Sequence, residues 1–217
     1  MARPRFSRLG EAEQHRILEA SAEEFTAKGF DGTSLNRLIN RLGISKGSFY
    51  YYFDDKADLF STVADHAWEL FLPGAEVDLS VFTAANYWAV LSEYLRQTRA
   101  RAREHPWMVG FIRMIYDPPA IPEIERSLAE RFAEAREFQG ALIRRGQELG
   151  TVRDDLPVDL MLALLTGADE AADRWFVNHW DHKSDDEIER LSEEVFAIFR
   201  RMVEPPSERA QSVRSAP

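Results

Sequence analysis

The sequence predicts an all-α protein, and three observations support that prediction. Apolar residues recur at intervals of three and four along most of the 217 residues, which is typical of helices with one buried face. No segment shows the sustained alternation of apolar and polar residues that marks a half-buried strand. Glycines and prolines fall between the periodic segments, where they end helices. The hydrophobic content of 45% is sufficient for a packed core.

The N-terminal quarter is predicted to contain four helices separated by tight turns. Gly29 follows the first helix as a C-terminal signal, and Gly43 breaks the second. Ser45 is a favourable N-cap for a short third helix. Asp54 is predicted to cap the fourth helix, which ends before Pro73. These signals predict helices over about residues 11–28, 34–41, 46–52 and 56–71.

The rest of the chain is predicted to form five longer helices, with sharp breaks before Pro106 and Pro157. The periodic segments place these helices over residues 81–104, 106–116, 122–149, 157–180 and 185–203. No apolar run approaches the roughly 20 residues that a membrane span needs. We therefore predict a small domain over residues 1–55, a larger helical domain over residues 56–204 and a disordered tail over residues 205–217.

Charge is unevenly distributed along the chain. The net charge of −10 argues against a protein that binds nucleic acid over its whole surface. Residues 1–56, however, hold nine Lys and Arg against eight Asp and Glu. Residues 33–53 contain Arg37, Arg41 and Lys46 but no acid. An acid-free segment in an acidic chain indicates a focused binding face.

Residues 33–53, TSLNRLINRLGISKGSFYYYF, have the layout of a helix-turn-helix, in which the second helix enters the major groove of DNA. Ser45, Lys46 and Ser48 can donate hydrogen bonds to phosphates or base edges. Gly47 has no side chain, so the backbone can approach DNA closely. Three consecutive tyrosines add hydroxyl donors. The alternative is an ordinary helical corner that exposes an aromatic cluster.

The short third helix is predicted to bury one side only. At about 100° per residue, its three tyrosines cannot all face inward. Phe49 and Phe53 are four residues apart and are predicted to supply the buried stripe.

The stretch from Phe30 to Leu59, FDGTSLNRLINRLGISKGSFYYYFDDKADL, resembles the N-terminal domain of the TetR (tetracycline-repressor) family. The family pattern has a threonine-rich start, a glycine at the turn, a Ser-Lys-Gly motif, an aromatic cluster and a Lys-x-x-Leu motif. It is matched here by Thr33, Gly43, Ser45, Lys46, Gly47, Ser48, Phe49, Tyr50, Tyr52, Phe53, Lys56 and Leu59. Ile39 and Leu42 depart from the pattern, since the family usually has alanines there, and we expect them to change the helix separation slightly.

The resemblance implies DNA-contacting roles at the matching positions. Thr33 and Ser34 resemble phosphate contacts at a helix start, and Lys56 resembles a phosphate clamp. Tyr52 and Phe53 resemble residues that pack the small domain, and the alternative for Tyr52 is a contact with a phosphate. The predicted DNA-binding set is Thr33, Ser34, Ser45, Lys46, Gly47, Ser48, Tyr50, Tyr51 and Lys56.

The resemblance also implies a ligand-responsive transcription regulator, most often a repressor, which binds a palindromic operator as a homodimer and is released by a small-molecule effector. The last two helices suit a dimer interface. Gly167 and Ala168 allow close helix approach, and residues 185–203 carry more apolar positions than one face needs. The alternative is that both helices are buried within their own chain.

The middle helices resemble the part of the family that forms the effector pocket, and their composition favours an apolar or aromatic effector. Asp169, Glu170 and Asp173 could accept a cation or hydrogen-bond donors, or be paired or hydrated. Aromatic residues at helical spacing also occur as ordinary core, which is the alternative for each candidate. The candidate lining residues are Trp68, Phe71, Tyr87, Trp88, Trp107, Phe111, Met114 and Trp175.

We predict no enzymatic activity, no cofactor and no metal site. His179 and His182 lie three residues apart, but their polar surroundings favour a solvated pair. No phosphate-binding glycine loop occurs. The absence of cysteine fits a reducing, cytoplasmic location. Two alternatives stay open, a DNA-binding protein without an effector and an all-helical enzyme with a coincidental motif.

Overall fold

The computed structural model describes residues 4–71 and 78–206, and within these ranges it contains helices and turns but no strand. This confirms the predicted all-α class. The α-helices are α1 (Glu11–Gly32), α2 (Leu35–Leu42), α3 (Lys46–Tyr52), α4 (Lys56–Phe71), α5 (Tyr87–Glu104), α6 (Pro106–Tyr116), α7 (Pro122–Glu148), α8 (Val158–His179) and α9 (Asp185–Val203). Of the predicted disordered tail, residues 207–217 lie outside the described residues.

The chain divides into two compact units. The first contains Met1–Pro73 and Ala100–Phe132, and the second contains Gly74–Arg99 and Ala133–Pro217. The predicted domain boundary between residues 55 and 56 stays a prediction. None of the helices in the described ranges is both long and apolar enough to cross a membrane.

The core of the first unit is built on phenylalanines from α1, α4 and α6. Phe25, Phe60 and Phe111 are fully buried, with ring centroids 4.9 to 6.4 Å apart. Phe30 adds a fourth ring, stacked on Phe25 at 5.9 Å. Burial of each ring stabilises the fold by roughly 1.5–3 kcal/mol. The helix-turn-helix is therefore attached to a rigid aromatic core.

The core of the second unit centres on Tyr87 of α5, whose hydroxyl donates a hydrogen bond to the backbone carbonyl oxygen of Leu142 at 2.9 Å. Burial raises the pKa of this phenol to about 12. Gly146 of α7 lies directly against the Tyr87 ring. The buried members of the cluster are Phe82, Tyr87, Ile143, Val152, Met161 and Val203.

Helix α1 ends in a kink at the predicted stop signal. Its assigned range continues to Gly32, but Gly29 has a φ of 68°, outside the helical region. Glycine adopts this left-handed conformation without steric cost. The regular helix thus ends where the sequence predicts, and one further turn leads into α2.

Two predicted details are wrong. Helix α5 begins at Tyr87 rather than at residue 81, because Leu79–Val81 form a 3₁₀ turn in which Asp78 accepts the Ser80 N–H at 2.8 Å. The cap of α4 is Asp55 rather than Asp54, since the Asp55 carboxylate accepts the Asp58 N–H at 2.9 Å. Asp55 directly precedes the first helical residue, which is the position where a side chain reaches the free N–H groups of the first turn.

Candidate nucleic-acid interface

The turn between α2 and α3 is closed by Gly43, which has a φ of 66°. Its N–H contacts the Asn40 carbonyl at 3.1 Å, and the Ile44 N–H contacts the Ile39 carbonyl at 3.4 Å. These bonds satisfy the last carbonyls of α2 in a left-handed helix cap. Ile39 and Leu42, the two departures from the family pattern, are both buried.

The beginning of α3 is fixed by a pair of serines. Ser45 Oγ accepts the Ser48 backbone N–H at 2.9 Å, and the two hydroxyls lie 2.9 Å apart. Ser45 therefore caps the helix, as predicted. Between the serines, Lys46 and Gly47 are exposed at the first turn. Among the described residues, Lys46 has no acidic partner, so its ammonium is available for an anion.

The remaining residues of α3 separate into a buried and an exposed side. Phe49 and Phe53 are completely buried, which confirms the predicted stripe. Tyr50 is 41% exposed and Tyr51 is 47% exposed. Tyr52 is half-buried. The exposed side thus presents two large polar rings on a helix whose other side is held in the core.

The two residues at the start of α2 differ in their surroundings. Thr33 is buried, and its hydroxyl donates to the Gly29 carbonyl at 2.8 Å. Ser34 is the exposed N-cap residue, and its side chain makes no cap bond. Ser34 therefore presents a hydroxyl to solvent. Thr33 stabilises the turn before the helix, and its phosphate contact stays a prediction.

Lys56 also forms bonds within the chain. Its ammonium donates to the backbone carbonyl oxygens of Phe30 at 2.6 Å and Thr33 at 3.1 Å. An ammonium has three N–H donors, so one remains for a phosphate. The predicted clamp role stays a prediction beside this structural one.

The positive charge of residues 33–53 is smaller than the sequence suggests. Arg41 pairs with Glu24 at 3.0 Å and with Glu23, both of α1. Arg37 and Lys46 have no such partner among the described residues. Because these acids lie 17 and 18 residues earlier in the chain, a count within the segment could not find them.

Sequence reasoning missed one anchor of this region. Phe6 is buried, and its ring centroid lies 4.9 Å from that of Phe53. Beside it, the guanidinium carbon of Arg5 lies 4.4 Å from the centroid of the Tyr51 ring. The available signal was an isolated phenylalanine between basic residues, which alone does not identify a contact with a helix far along the chain.

The candidate pocket residues are distributed over both units. Trp68, Trp107, Phe111 and Met114 belong to the first, and Tyr87, Trp88 and Trp175 belong to the second. The side chain of Phe71 lies outside the described residues.

The environments of these candidates differ. In the first unit, Phe111 belongs to the phenylalanine core, and Trp107 is buried against His66 with ring centroids 5.9 Å apart. In the second, Tyr87 and Trp88 contact each other at 5.0 Å, whereas Trp175 is 40% exposed and stacks on His179. The same unit has an open groove of about 380 Å³ lined by Leu79, Ser80, Ala141, Arg144, Arg145 and Glu148. No predicted lining residue borders this groove.

Asp169 of α8 is half-buried. It accepts a hydrogen bond from Gln139 Nε2 at 3.3 Å, and burial raises the pKa of its carboxyl. Glu170 pairs with Arg174 at 3.1 Å on the exposed surface.

Comparison with known proteins identifies the N-terminal region. Residues 17–63 match the family described as bacterial regulatory proteins, tetR family. An HTH-type transcriptional repressor of Mycobacterium tuberculosis is 25% identical over 71% of this chain and 76% of its own. The HTH-type transcriptional repressor AcnR of Corynebacterium diphtheriae is 28% identical over 68% of this chain and 72% of its own.

Solved structures share the fold well beyond the matched region. The transcriptional regulator FadR from Bacillus subtilis, solved in complex with stearoyl-CoA, superposes with a TM-score of 0.69. The superposition covers 85% of this chain and 96% of that one, at 18% identity. The similarity therefore extends over both units, and at this identity it concerns the fold alone.

Proposed function

We propose that the chain is a regulator of the TetR family, and specifically a dimeric, ligand-responsive repressor, because residues 17–63 match the model of that family. It binds a palindromic operator, and a small-molecule effector releases it. The observation that carries the proposal is the exposed side of α3, where Lys46, Tyr50 and Tyr51 stand on a helix fixed by buried phenylalanines. A helix that is held in the core on one side and exposes polar donors on the other suits the major groove.

The sense of regulation is taken from the relatives. Both relatives described above are named transcriptional repressors. A protein that blocks transcription needs only to occupy its operator, and no additional activating surface is required. Repression is therefore the simpler proposal for this chain.

The dimer is supported by exposed apolar residues on the last two helices. Leu160 and Leu164 of α8 are 46% and 50% exposed, and Ile198 of α9 is 47% exposed. Large apolar side chains exposed on neighbouring helices indicate a protein interface. A two-fold dimer places two α3 helices on the two halves of a palindrome.

The effector is proposed to be apolar, for which the FadR structure with stearoyl-CoA supplies a first probe. The candidate lining residues on the middle helices include large aromatic rings that can cover an apolar chain. The competing proposal is a DNA-binding protein without an effector. The two differ in whether any small molecule lowers affinity for the operator.

The first experiment selects an operator from random duplexes with the full-length protein and measures its affinity by fluorescence anisotropy. We expect a palindromic site. Lys46→Ala and Tyr50→Ala should each lose most of the specific affinity while the helical circular dichroism is retained. Arg136→Ala, which removes an exposed arginine of α7, is the matched control and should bind as wild type does.

Recovery of no preferred sequence would contradict the proposed function, as would unchanged binding by both α3 variants. A second titration adds stearoyl-CoA and a set of aromatic compounds to the preformed complex. Release by one of them supports the ligand-responsive proposal, whereas full binding in the presence of all of them favours the effector-free alternative.

A further inference from the structure

The segment before α1 is fixed to α3 by a buried aromatic ring. Phe6 lies in the 3₁₀ turn Phe6–Arg8, and only 3% of its surface is exposed. Its ring centroid lies 4.9 Å from that of Phe53 and 6.0 Å from that of Tyr52. A phenylalanine packed between other rings restrains the neighbouring backbone. The residue before Phe6 is therefore held at the C-terminal end of α3.

Arg5 occupies that position and places a charge on the exposed side of α3. Its guanidinium carbon lies 4.4 Å from the centroid of the Tyr51 ring. A cation over the face of a tyrosine is attracted by the ring electrons. The N–H groups of the guanidinium that point away from the ring can still donate hydrogen bonds. The ring thus supports the charge without neutralising it.

Arg5 also differs in its partners from Arg16 and Arg41, two arginines of the same unit. Arg16 is bound by Glu13 at 2.7 Å, and Arg41 is bound by Glu24 at 3.0 Å. Within residues 4–71 and 78–206, no carboxylate forms a salt bridge with Arg5. The chain therefore compensates Arg16 and Arg41 internally but leaves the charge of Arg5 for a partner outside the chain.

We propose that Arg5 is a further DNA-contacting residue, which binds a backbone phosphate beside the groove that α3 enters, with Tyr51 orienting its guanidinium. This inference rests on the proposed function, because it takes α3 as the reading helix. A phosphate is favoured over a base edge for two reasons. The guanidinium fork matches two phosphate oxygens, and most protein–DNA hydrogen bonds go to the sugar-phosphate backbone.

The experiment uses the full-length protein and the selected operator, with affinity measured over a series of salt concentrations. Arg5→Ala should weaken binding about 3- to 10-fold and reduce the slope of log K against log salt by about 0.9, the value for one phosphate contact. Arg136→Ala removes the same charge from an exposed site and should change neither quantity. The preference for the operator over mismatched duplexes should be unchanged, because a phosphate contact carries no sequence information.

A second experiment repeats the Arg5→Ala substitution in two Tyr51 variants and tests the role of the Tyr51 ring. In Tyr51→Phe the ring is retained, and the loss caused by Arg5→Ala should be the same as in wild type. In Tyr51→Ala the support is removed, and the loss caused by Arg5→Ala should shrink to less than half. A purely structural role for Arg5 would not produce this dependence, and thermal denaturation of each variant confirms that the domain is folded.

Three results would overturn the inference. One is an Arg5→Ala variant that matches Arg136→Ala in affinity and salt slope. Another is a change in base preference at one operator position without a change in slope, which indicates a base contact. The third is an equal loss in all Tyr51 backgrounds. Each leaves the proposed function intact if Lys46→Ala still abolishes specific binding, whereas failure of the wild-type protein to select any sequence would contradict the proposed function itself.

Discussion

The ammonium group of Lys56 lies 2.6 Å from the backbone carbonyl oxygen of Phe30 and 4.2 Å from the centroid of the Phe30 ring. The Lys56 side chain, at the start of α4, thereby donates a hydrogen bond to a backbone carbonyl at the end of α1 and covers the buried ring of Phe30. It also reaches the Thr33 carbonyl, just before α2. The helix-turn-helix is consequently tied to α4 by a charge-assisted contact as well as by apolar packing.

The first prediction concerns the stability of this tie. Lys56→Met keeps the aliphatic stem but removes the donors, so the Phe30 and Thr33 carbonyls lose a charged hydrogen-bond donor. The free energy of unfolding, measured in urea, should fall by about 2 kcal/mol. Lys28→Met changes an exposed lysine of α1 in the same way and should have almost no effect. Equal stability of the two variants would contradict the structural role of Lys56.

The second prediction compares two glycines of α7. A Cβ at Gly146 would lie 2.8 Å from Tyr87 Oη and 2.9 Å from Tyr87 Cζ, and would also overlap Val152. Gly146→Ala should lower the free energy of unfolding by about 2 kcal/mol, because two buried side chains must move. A Cβ at Gly140 meets only ordinary contacts at 3.5 Å or more, so Gly140→Ala should cost less than about 1 kcal/mol or stabilise the helix. Thermal and urea denaturation measure the stability of both variants. A Gly140→Ala variant that is less stable than Gly146→Ala would contradict the packing described around Gly146.

The third prediction concerns the pH dependence of stability. Burial, together with the nearby His15, lowers the pKa of His66 to about 4, from 6.5. The ring of His66 faces His15 and Glu19 of α1, and His105 contributes from the residue before α6. Below pH 6.5 the unfolded chain binds a proton that the folded protein accepts only near pH 4, so stability must fall between these values.

At pH 5 this loss should be on the order of 1 kcal/mol after a discount for solvent screening. Urea denaturation at pH 7 and pH 5 measures it in wild type and in His66→Leu. The variant has no ionisable group at this position, so its pH dependence should be weaker over the same window. If wild type and His66→Leu lose the same stability between pH 7 and pH 5, His66 does not titrate as stated.

The fourth prediction tests the proposed dimer. Leu164→Glu and Ile198→Glu place a charge on the exposed apolar residues of α8 and α9, and each should convert the dimer to a folded monomer. Val81→Glu is the control, because Val81 is 49% exposed but lies in the 3₁₀ turn before α5. Sedimentation measurements at micromolar concentration distinguish the two outcomes. A monomeric wild-type protein would exclude the dimer at this concentration.

The helix boundaries were largely predictable because they are set by local signals. Gly43 ends α2 with a positive φ, Ser45 caps α3 through its own hydroxyl, and Pro106 begins α6. Each of these signals acts within four residues of its target, so a single sequence contains it. The start of α5 was missed because the Leu79–Val81 turn has no strong glycine or proline signal of its own.

The exposed residues of the candidate interface were predictable from the sequence. The contacts that its charged residues make within the chain were less predictable. Phe49 was predicted to be buried from its spacing to Phe53 along one helix. In contrast, the compensation of Arg41 by Glu24 joins positions far apart in the chain, as does the contact of Lys56 with Phe30. Such pairs depend on tertiary packing, which helical periodicity does not encode.

The packing of Phe6 has a practical consequence for the preparation of the protein. Because Arg5 lies against the exposed ring of Tyr51, a purification tag fused shortly before Arg5 would lie next to the candidate interface. A basic or polyhistidine extension there would bring its own charge to operator titrations and mask the effect of single substitutions. Binding experiments should therefore use a tag at the other terminus or one that is removed by protease.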